Sequence, residues 1–134
     1  MFAPTTKILV VDDMMTMRKL VSKSLKELGF TDITEANDGI QAWEKLSKSQ
    51  PPFGMIVSDW NMPNCTGLDL LKRCRGDSVY KNVPFLLVTA EAEASQIIDA
   101  KQAGVSSYII KPFTSQAIGE KIKLVYESLM KKAA

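Results

Sequence analysis

The sequence contains no histidine, and this absence removes several kinds of site at once. Serine–histidine triads, zinc–histidine centres and histidine general bases cannot be built from this chain. Any phosphohistidine in its chemistry must belong to another molecule. The two cysteines, Cys65 and Cys74, have no partner motif, which predicts buried or inert thiols rather than a disulfide framework.

Long apolar runs are also absent. No stretch approaches the roughly 20 residues of a membrane-spanning helix, and the N-terminus lacks a signal-peptide pattern, so we expect a cytoplasmic protein without a membrane contact. A net charge of +2 with no block of Lys or Arg argues against a nucleic-acid partner. The 134 residues, 46% of them hydrophobic and 24% charged, are typical of one globular domain.

A strand–helix alternation is present instead, and it repeats five times. Short β-branched runs predict strands at 7–11, 33–36, 55–59, 84–89 and 107–110. Apolar residues at helical spacing follow each run and predict inward-facing stripes that include Leu20, Ile40 and Trp43. This alternation predicts a parallel sheet with helices on both faces, its second strand at an edge.

Polar side chains end four of these strands. Asp12 and Asp13 follow the first strand, Asp59 ends the third, Thr89 ends the fourth and Lys111 follows the fifth. The carboxyl ends of parallel strands share one rim, so we expect these residues to meet. Neighbouring carboxylates repel one another unless a cation offsets them, and hard oxygen ligands suit Mg²⁺, Mn²⁺ or Ca²⁺, with Mg²⁺ favoured.

The remaining groups at this rim indicate the reaction. An ammonium at Lys111 would bind an anionic oxygen, most plausibly of phosphate, and Thr89 would donate a hydrogen bond to the same group. A carboxylate nucleophile with a metal and positive donors predicts phosphoryl transfer to Asp59, which gives an acyl phosphate.

Two rival chemistries fit less well. A nucleotide-binding doubly wound protein needs a glycine-rich turn after its first strand, and residues 12–15 contain no glycine. A metal-dependent aspartyl phosphatase places a second Asp two residues after its nucleophile for rapid turnover, whereas this chain has Asn61.

The motifs together point to a family. The segments VVDD, TMRK, LKELGF, SDWNMPN, GLDLL, VTAEA, QAG and YIIKPFT resemble two-component receiver domains, most closely the chemotaxis response regulators. The resemblance spans essentially the whole chain. It implies a flavodoxin-like, doubly wound (βα)5 three-layer sandwich whose five-stranded parallel sheet has the order 2-1-3-4-5. It also implies a single receiver domain over residues 1–134, without an output domain.

The resemblance implies roles for individual residues. Asp59 matches the phosphoacceptor, assisted by Thr89 and Lys111. Magnesium, or manganese as an alternative, would be held by Asp13, Asp59 and the Asn61 backbone carbonyl, with Asp12 acting through metal-bound water. The residues that match the switch and the partner-binding surface are Tyr108, Ala90, Glu91 and Lys121, although Lys121 is equally consistent with a solvated helix lysine. The Lys111–Pro112 bond matches a cis bond.

The expected function is that of a signalling phosphoacceptor rather than an enzyme. Its expected partners are a histidine kinase of the chemotaxis type, the flagellar motor switch protein and a phosphatase, and we expect a monomer. A receiver in another phosphorelay, or a phosphate sink, is the alternative. We expect Trp60 to be a partly exposed reporter beside Asp59.

Overall fold

The computed structural model describes residues 1–90 and 94–133, in which strands and helices alternate along the chain. The strands are β1 (Lys7–Val11), β2 (Asp32–Ala36), β3 (Met55–Asp59), β4 (Phe85–Thr89) and β5 (Ser107–Ile110). The helices are α1 (Met15–Glu27), α2 (Gly39–Lys48), α3 (Gly67–Arg75), α4 (Ala94–Gln102) and α5 (Ser115–Ala133). The predicted strands agree with these bounds to within one residue, and β4 begins after Pro84, which has no amide proton to donate.

All neighbouring strands of the sheet are parallel, and their order is β2-β1-β3-β4-β5. The predicted flavodoxin-like topology, with the second strand at an edge, is therefore confirmed. In the register between β3 and β4, Asp59 lies beside Val88, so the polar ends of the strands meet at one edge. No helix of the described residues is long and apolar enough to span a membrane.

The core lies in two layers, one on each face of the sheet. Successive residues of a strand point to opposite faces, so Ile8 and Val10 enter one layer while Leu9 and Val11 enter the other. Val21 of α1 and Ile118 of α5 pack in the first layer. The second layer holds buried residues of α2, α3 and α4, among them Leu46, Leu71 and Ala100. Both faces of the sheet are thus covered by helices, as the alternation predicted.

Two predicted inward-facing residues lie at the surface. Ile40 is 60% exposed and Leu20 is 48% exposed. In α2 the buried stripe contains Gly39, Ala42 and Leu46, and Gly39 packs so closely against Cys65 that a Cβ atom there would collide with the Cys65 side chain. Choosing the larger residues Ile40 and Trp43 therefore placed the first two positions of the stripe one residue too late, whereas Leu46 is buried. Trp43 is only partly buried, and the guanidinium of Arg73 lies 4.4 Å from the centre of its ring.

Both cysteines are free thiols. Burial raises the pKa of Cys74 to about 12, and burial also raises the pKa of the half-buried Cys65. Thiols with raised pKa values are weak nucleophiles near neutral pH, because little thiolate is present.

Candidate functional site

Three carboxylates meet at the carboxyl edge of the sheet. Asp59 is the last residue of β3, and Asp12 follows β1, the neighbouring strand; both side chains are buried. Asp13 is exposed at the rim. Carboxylate oxygens of Asp12, Asp13 and Asp59 lie within 4.8 Å of one another. The strand ends thus bring together the acidic residues that the sequence predicted to meet.

Lys111 enters the same cluster from the end of β5. Its Nζ donates a hydrogen bond to Oδ1 of Asp59 at 2.9 Å and lies 4.0 Å from Oδ2 of Asp12. Its backbone N–H donates to the carbonyl oxygen of Thr89 at 2.8 Å, which joins the ends of β4 and β5. The side chain of Thr89 is buried at this edge. The Lys111–Pro112 bond is cis, as the resemblance implied.

Burial controls the acidity of the two inner carboxyl groups. It raises the pKa of Asp12 to about 6; the hydrogen bond from the Met14 N–H opposes this shift, and the charge of Asp59 adds to it. Burial also raises the pKa of Asp59, although the hydrogen bond and charge of Lys111 pull that pKa down. The single positive charge of Lys111 therefore offsets only part of the negative charge of the three carboxyl groups.

The cluster fits a hard divalent cation. Its ligand atoms are carboxylate oxygens, which Mg²⁺ and Ca²⁺ prefer, and they are close enough to share one ion. A divalent cation would also offset the repulsion and the burial that raise the two pKa values. The cluster thus has the charge and the chemistry of a metal site.

The backbone after Asp59 is fixed by the turn back into α3. The Trp60 N–H donates to the Val88 carbonyl and continues the sheet, and the Gly67 N–H donates to the Trp60 carbonyl. Gly67 lacks a side chain for a steric reason, because a Cβ atom would collide with the Asp59 carbonyl oxygen. Thr66 and Asp69 then form a capping box that starts α3.

Trp60 corrects one expectation. Its side chain is only 9% exposed and packs with the buried residues on the α2 and α3 side of the sheet. The polar sequence that follows Trp60 does not indicate that the indole is buried. Asn61, the next residue, is exposed, and the role of its carbonyl as a metal ligand stays a prediction.

Tyr108 and Lys121 contact each other on the side of β5. Nζ of Lys121 lies 5.3 Å from the centre of the Tyr108 ring, a cation–π arrangement. Both residues line a cavity of about 270 Å³ with Pro112, Phe113 and Ala117. Lys121 is therefore a neighbour of Tyr108, and its role in partner binding stays a prediction.

Two further residues, Ala90 and Glu91, were predicted to belong to the switch. Ala90 is exposed immediately after Thr89. Glu91 lies outside the described residues.

Sequence reasoning missed two sets of residues. Arg18 holds the first strand–helix loop, since its Nη1 donates to the Asp12 carbonyl at 3.0 Å and its Nε to Glu35 at 2.9 Å. The TMRK motif contains this arginine but does not indicate its partner. The second set is apolar and exposed on α4, β5 and α5, namely Ile98, Ile110 and Leu124. In the sequence, these residues have the same spacing as core residues of a helix or strand, so the spacing does not show that they are exposed.

Comparison with known proteins gives concordant matches. The sequence profile of the response regulator receiver domain matches residues 8–123. The chain is 50% identical over 121 residues to chemotaxis protein CheY of Pseudomonas aeruginosa, covering 90% of this chain and 96% of that protein. It is 49% identical over 123 residues to chemotaxis protein CheY-3 of Vibrio cholerae, covering 92% and 93%. The solved structure of Vibrio cholerae chemotaxis protein CheY4 superposes with a TM-score of 0.83 at 33% identity, covering 90% of this chain and 98% of that one.

Proposed function

The chain belongs to the response regulator receiver domain family, and from this membership we propose that it is a chemotaxis response regulator phosphorylated on Asp59. The observation that carries the proposal is the ion pair at the carboxyl edge. The Lys111 ammonium lies 2.9 Å from an Asp59 oxygen, beside the carboxyl groups of Asp12 and Asp13. A nucleophile, a cation for an incoming anion and a metal-binding cluster are thereby adjacent.

The donor is a phosphohistidine on a histidine kinase of the chemotaxis type. A carboxylate oxygen of Asp59 attacks the phosphorus atom, the new P–O bond forms, the P–N bond to the donor breaks, and the imidazole leaves with the electron pair. Lys111 exchanges its bond to Asp59 for one to a phosphoryl oxygen, and the Thr89 hydroxyl donates to another. This chain has no histidine, so the phosphohistidine is not one of its own residues.

Magnesium is the proposed cofactor, and manganese would substitute for it. Asp13, Asp59 and the backbone carbonyl of Asn61 would bind the ion directly, and Asp12 would hold metal-bound water. A bound ion supplies charge neutralisation for the phosphoryl oxygens during transfer.

The phosphorylated state persists long enough to signal. Asn61 stands two residues after Asp59, where an acidic group would activate water, and an amide cannot take a proton from water at neutral pH. We therefore assign the chain a signalling role with slow self-dephosphorylation, and a separate phosphatase would shorten the signal.

The output is a protein contact on the face formed by α4, β5 and α5. Phosphorylation would draw Thr89 toward Asp59 and let Tyr108 turn inward, with Ala90 and Lys121 on the surface that changes. Glu91, the next residue in the sequence after Ala90, stays a predicted switch residue. The exposed residues Ile98, Ile110 and Leu124 offer this face apolar contact area. The proposed partner is the flagellar motor switch protein, reached by a monomer in the cytoplasm.

Intact-mass measurement tests phosphorylation. The protein is incubated with acetyl phosphate and Mg²⁺, and we expect it to gain the mass of one phosphoryl group. The Asp59→Asn variant should gain none, whereas Asp99→Asn, which removes an exposed carboxylate on α4, should react like wild type. Equal gain by wild type and Asp59→Asn would exclude Asp59 as the acceptor.

Binding to a peptide of the flagellar motor switch protein tests the output. We expect the phosphorylated chain to bind more tightly than the unmodified chain, and Lys121→Ala to weaken that binding. Lys123→Ala removes an exposed lysine two residues away and is the matched control. Binding that is independent of phosphorylation would refute the proposed switch.

A further inference from the structure

A second polar cavity lies at the opposite edge of the sheet, where β4 and β5 begin. Its volume is about 630 Å³, within the range of small-molecule sites in proteins. The cavity is lined by Arg75, Lys81, Asn82, Gly104, Val105, Ser106, Val125, Ser128 and Leu129. The five residues of β4 separate it from Thr89 by roughly 13 Å at the usual rise of a strand. It is therefore distinct from the carboxylate cluster.

The charges that line this cavity are all positive. Arg75 and Lys81 contribute two cations, and no Asp or Glu is among the described residues that line it. Within the described part of the chain, Arg75 forms no salt bridge. Its guanidinium instead donates from Nε to the Gly104 carbonyl at 2.9 Å and from Nη1 to the Tyr80 carbonyl at 3.2 Å. These neutral partners fix the group but leave its charge uncompensated.

Further hydrogen-bond donors stand beside the two cations. The Ser106 hydroxyl accepts the Phe85 N–H at 3.0 Å, so its own proton is available to a ligand. Asn82 and Ser128 add an amide and a second hydroxyl. The remaining walls are apolar and come from Val105, Val125 and Leu129.

We propose that this cavity binds a small organic phosphate monoester. The dianionic phosphate would match the two cations, and the planar guanidinium of Arg75 suits bidentate contact with its oxygens. The organic part would lie against the apolar wall. Arg75 already donates a hydrogen bond to the carbonyl of Gly104, the second residue after α4, so the Gly104 amide is a local reporter of binding.

Amide NMR shifts test the proposal with adenosine monophosphate as the probe. The titration uses the complete chain at constant ionic strength, without Mg²⁺, and adenosine serves as the probe without phosphate. We expect saturable shifts at Asn82, Gly104 and Ser106 with the monophosphate and none with adenosine. No saturable shift at these amides, or equal shifts with adenosine, would overturn the proposal.

Charge-removing variants locate the site. Lys81→Gln removes the charge of an exposed side chain, and Arg75→Gln removes the guanidinium that the Gly104 and Tyr80 carbonyls hold in place. Each variant should bind adenosine monophosphate about tenfold or more weakly, as expected for a lost charged hydrogen bond. Arg73→Gln is the matched control, because Arg73 lies over Trp43 outside the cavity, and it should bind like wild type. Equal weakening by all three variants would mean diffuse charge attraction and would refute a specific site. The Lys81 variant decides the matter if Arg75→Gln unfolds.

Discussion

The carboxyl group of Asp12 has a strongly raised pKa at the carboxyl edge of the sheet. Its side chain is 2% exposed, and its pKa stands at about 6 against an ordinary 3.8. A carboxyl group at the end of a strand is easy to find in the sequence. The shift in its pKa cannot be found there, because it depends on how deeply the group is buried and on the nearby charge of Asp59.

The raised pKa of Asp12 predicts a pH-dependent stability in the absence of divalent cations. Between pH 3.8 and 6 the folded state holds a proton that the unfolded state has lost, so the free energy of unfolding falls as pH rises. The loss should approach about 2–3 kcal/mol for this group and be complete above pH 6. Urea unfolding at pH 4.5 and 7 measures it. Asp12→Asn should show a shallower dependence, and an identical slope in both proteins would contradict this account.

The ammonium of Lys111 should accelerate the phosphorylation of Asp59. Lys111→Met removes the ammonium that lies 2.9 Å from Asp59 and that would bind a phosphoryl oxygen. Loss of a charged hydrogen bond worth about 1.5–3 kcal/mol should slow phosphorylation by acetyl phosphate roughly 10- to 100-fold. Time-resolved intact mass measures the rate. Lys101→Met removes an exposed lysine from α4 and should leave the rate unchanged, whereas a wild-type rate in Lys111→Met would exclude this role.

The turn between β3 and α3 is tightly packed at Gly67. Gly67 packs against the Asp59 carbonyl oxygen, and a Cβ atom there would also lie 2.8 Å from the Leu87 side chain. Gly67→Ala should therefore lower the free energy of unfolding by about 1–3 kcal/mol or more.

Gly76→Ala is the matched control for this substitution. A Cβ atom at Gly76 would meet nothing closer than 3.6 Å, and its φ of −85° suits alanine. Its free energy of unfolding should change by no more than about 0.5 kcal/mol. Urea denaturation of the two variants measures the difference, and equal stabilities would show that the turn has room to shift.

The sequence patterns predicted the strands and helices better than they predicted which face of each helix is buried. Gly29 follows the C-cap of α1 with a φ of +102°, a left-handed conformation that glycine adopts readily after a helix. In α2 the larger apolar residues did not mark the buried face, because Gly39 and Ala42 are buried while Ile40 is exposed. The spacing of large apolar residues predicts a helix, but it does not show which face of the helix is buried when small residues occupy that face.

For the whole molecule, the parallel topology explains why the site was predictable. Strands that run in one direction end at one rim, so Asp59 and Lys111 could be brought together from their order in the chain alone. The contact between Lys121 and Tyr108 and the enclosure of Trp60 depend on three-dimensional packing, which carries no local signal. The cationic cavity at the opposite edge likewise joins residues from α3, α5 and the loops that precede β4 and β5.

Divalent cations should stabilise the whole fold. A ligand that binds only the folded state adds about 2.7 kcal/mol at a concentration one hundred times its dissociation constant. Calorimetry should show that Mg²⁺ raises the unfolding temperature of wild type, more than Na⁺ at equal ionic strength does. Asp13→Asn should reduce the increase, and Asp99→Asn should preserve it. The same increase in all three proteins would exclude the carboxylate cluster as the binding site.

Chemical trapping can identify the residue that carries the phosphoryl group. After reaction with acetyl phosphate and Mg²⁺, borohydride reduction converts an aspartyl phosphate to homoserine, and peptide mass spectrometry identifies the residue. We predict homoserine at position 59 and unmodified aspartate at positions 12 and 13. Homoserine at position 12 or 13, or at any site other than 59, would contradict the account.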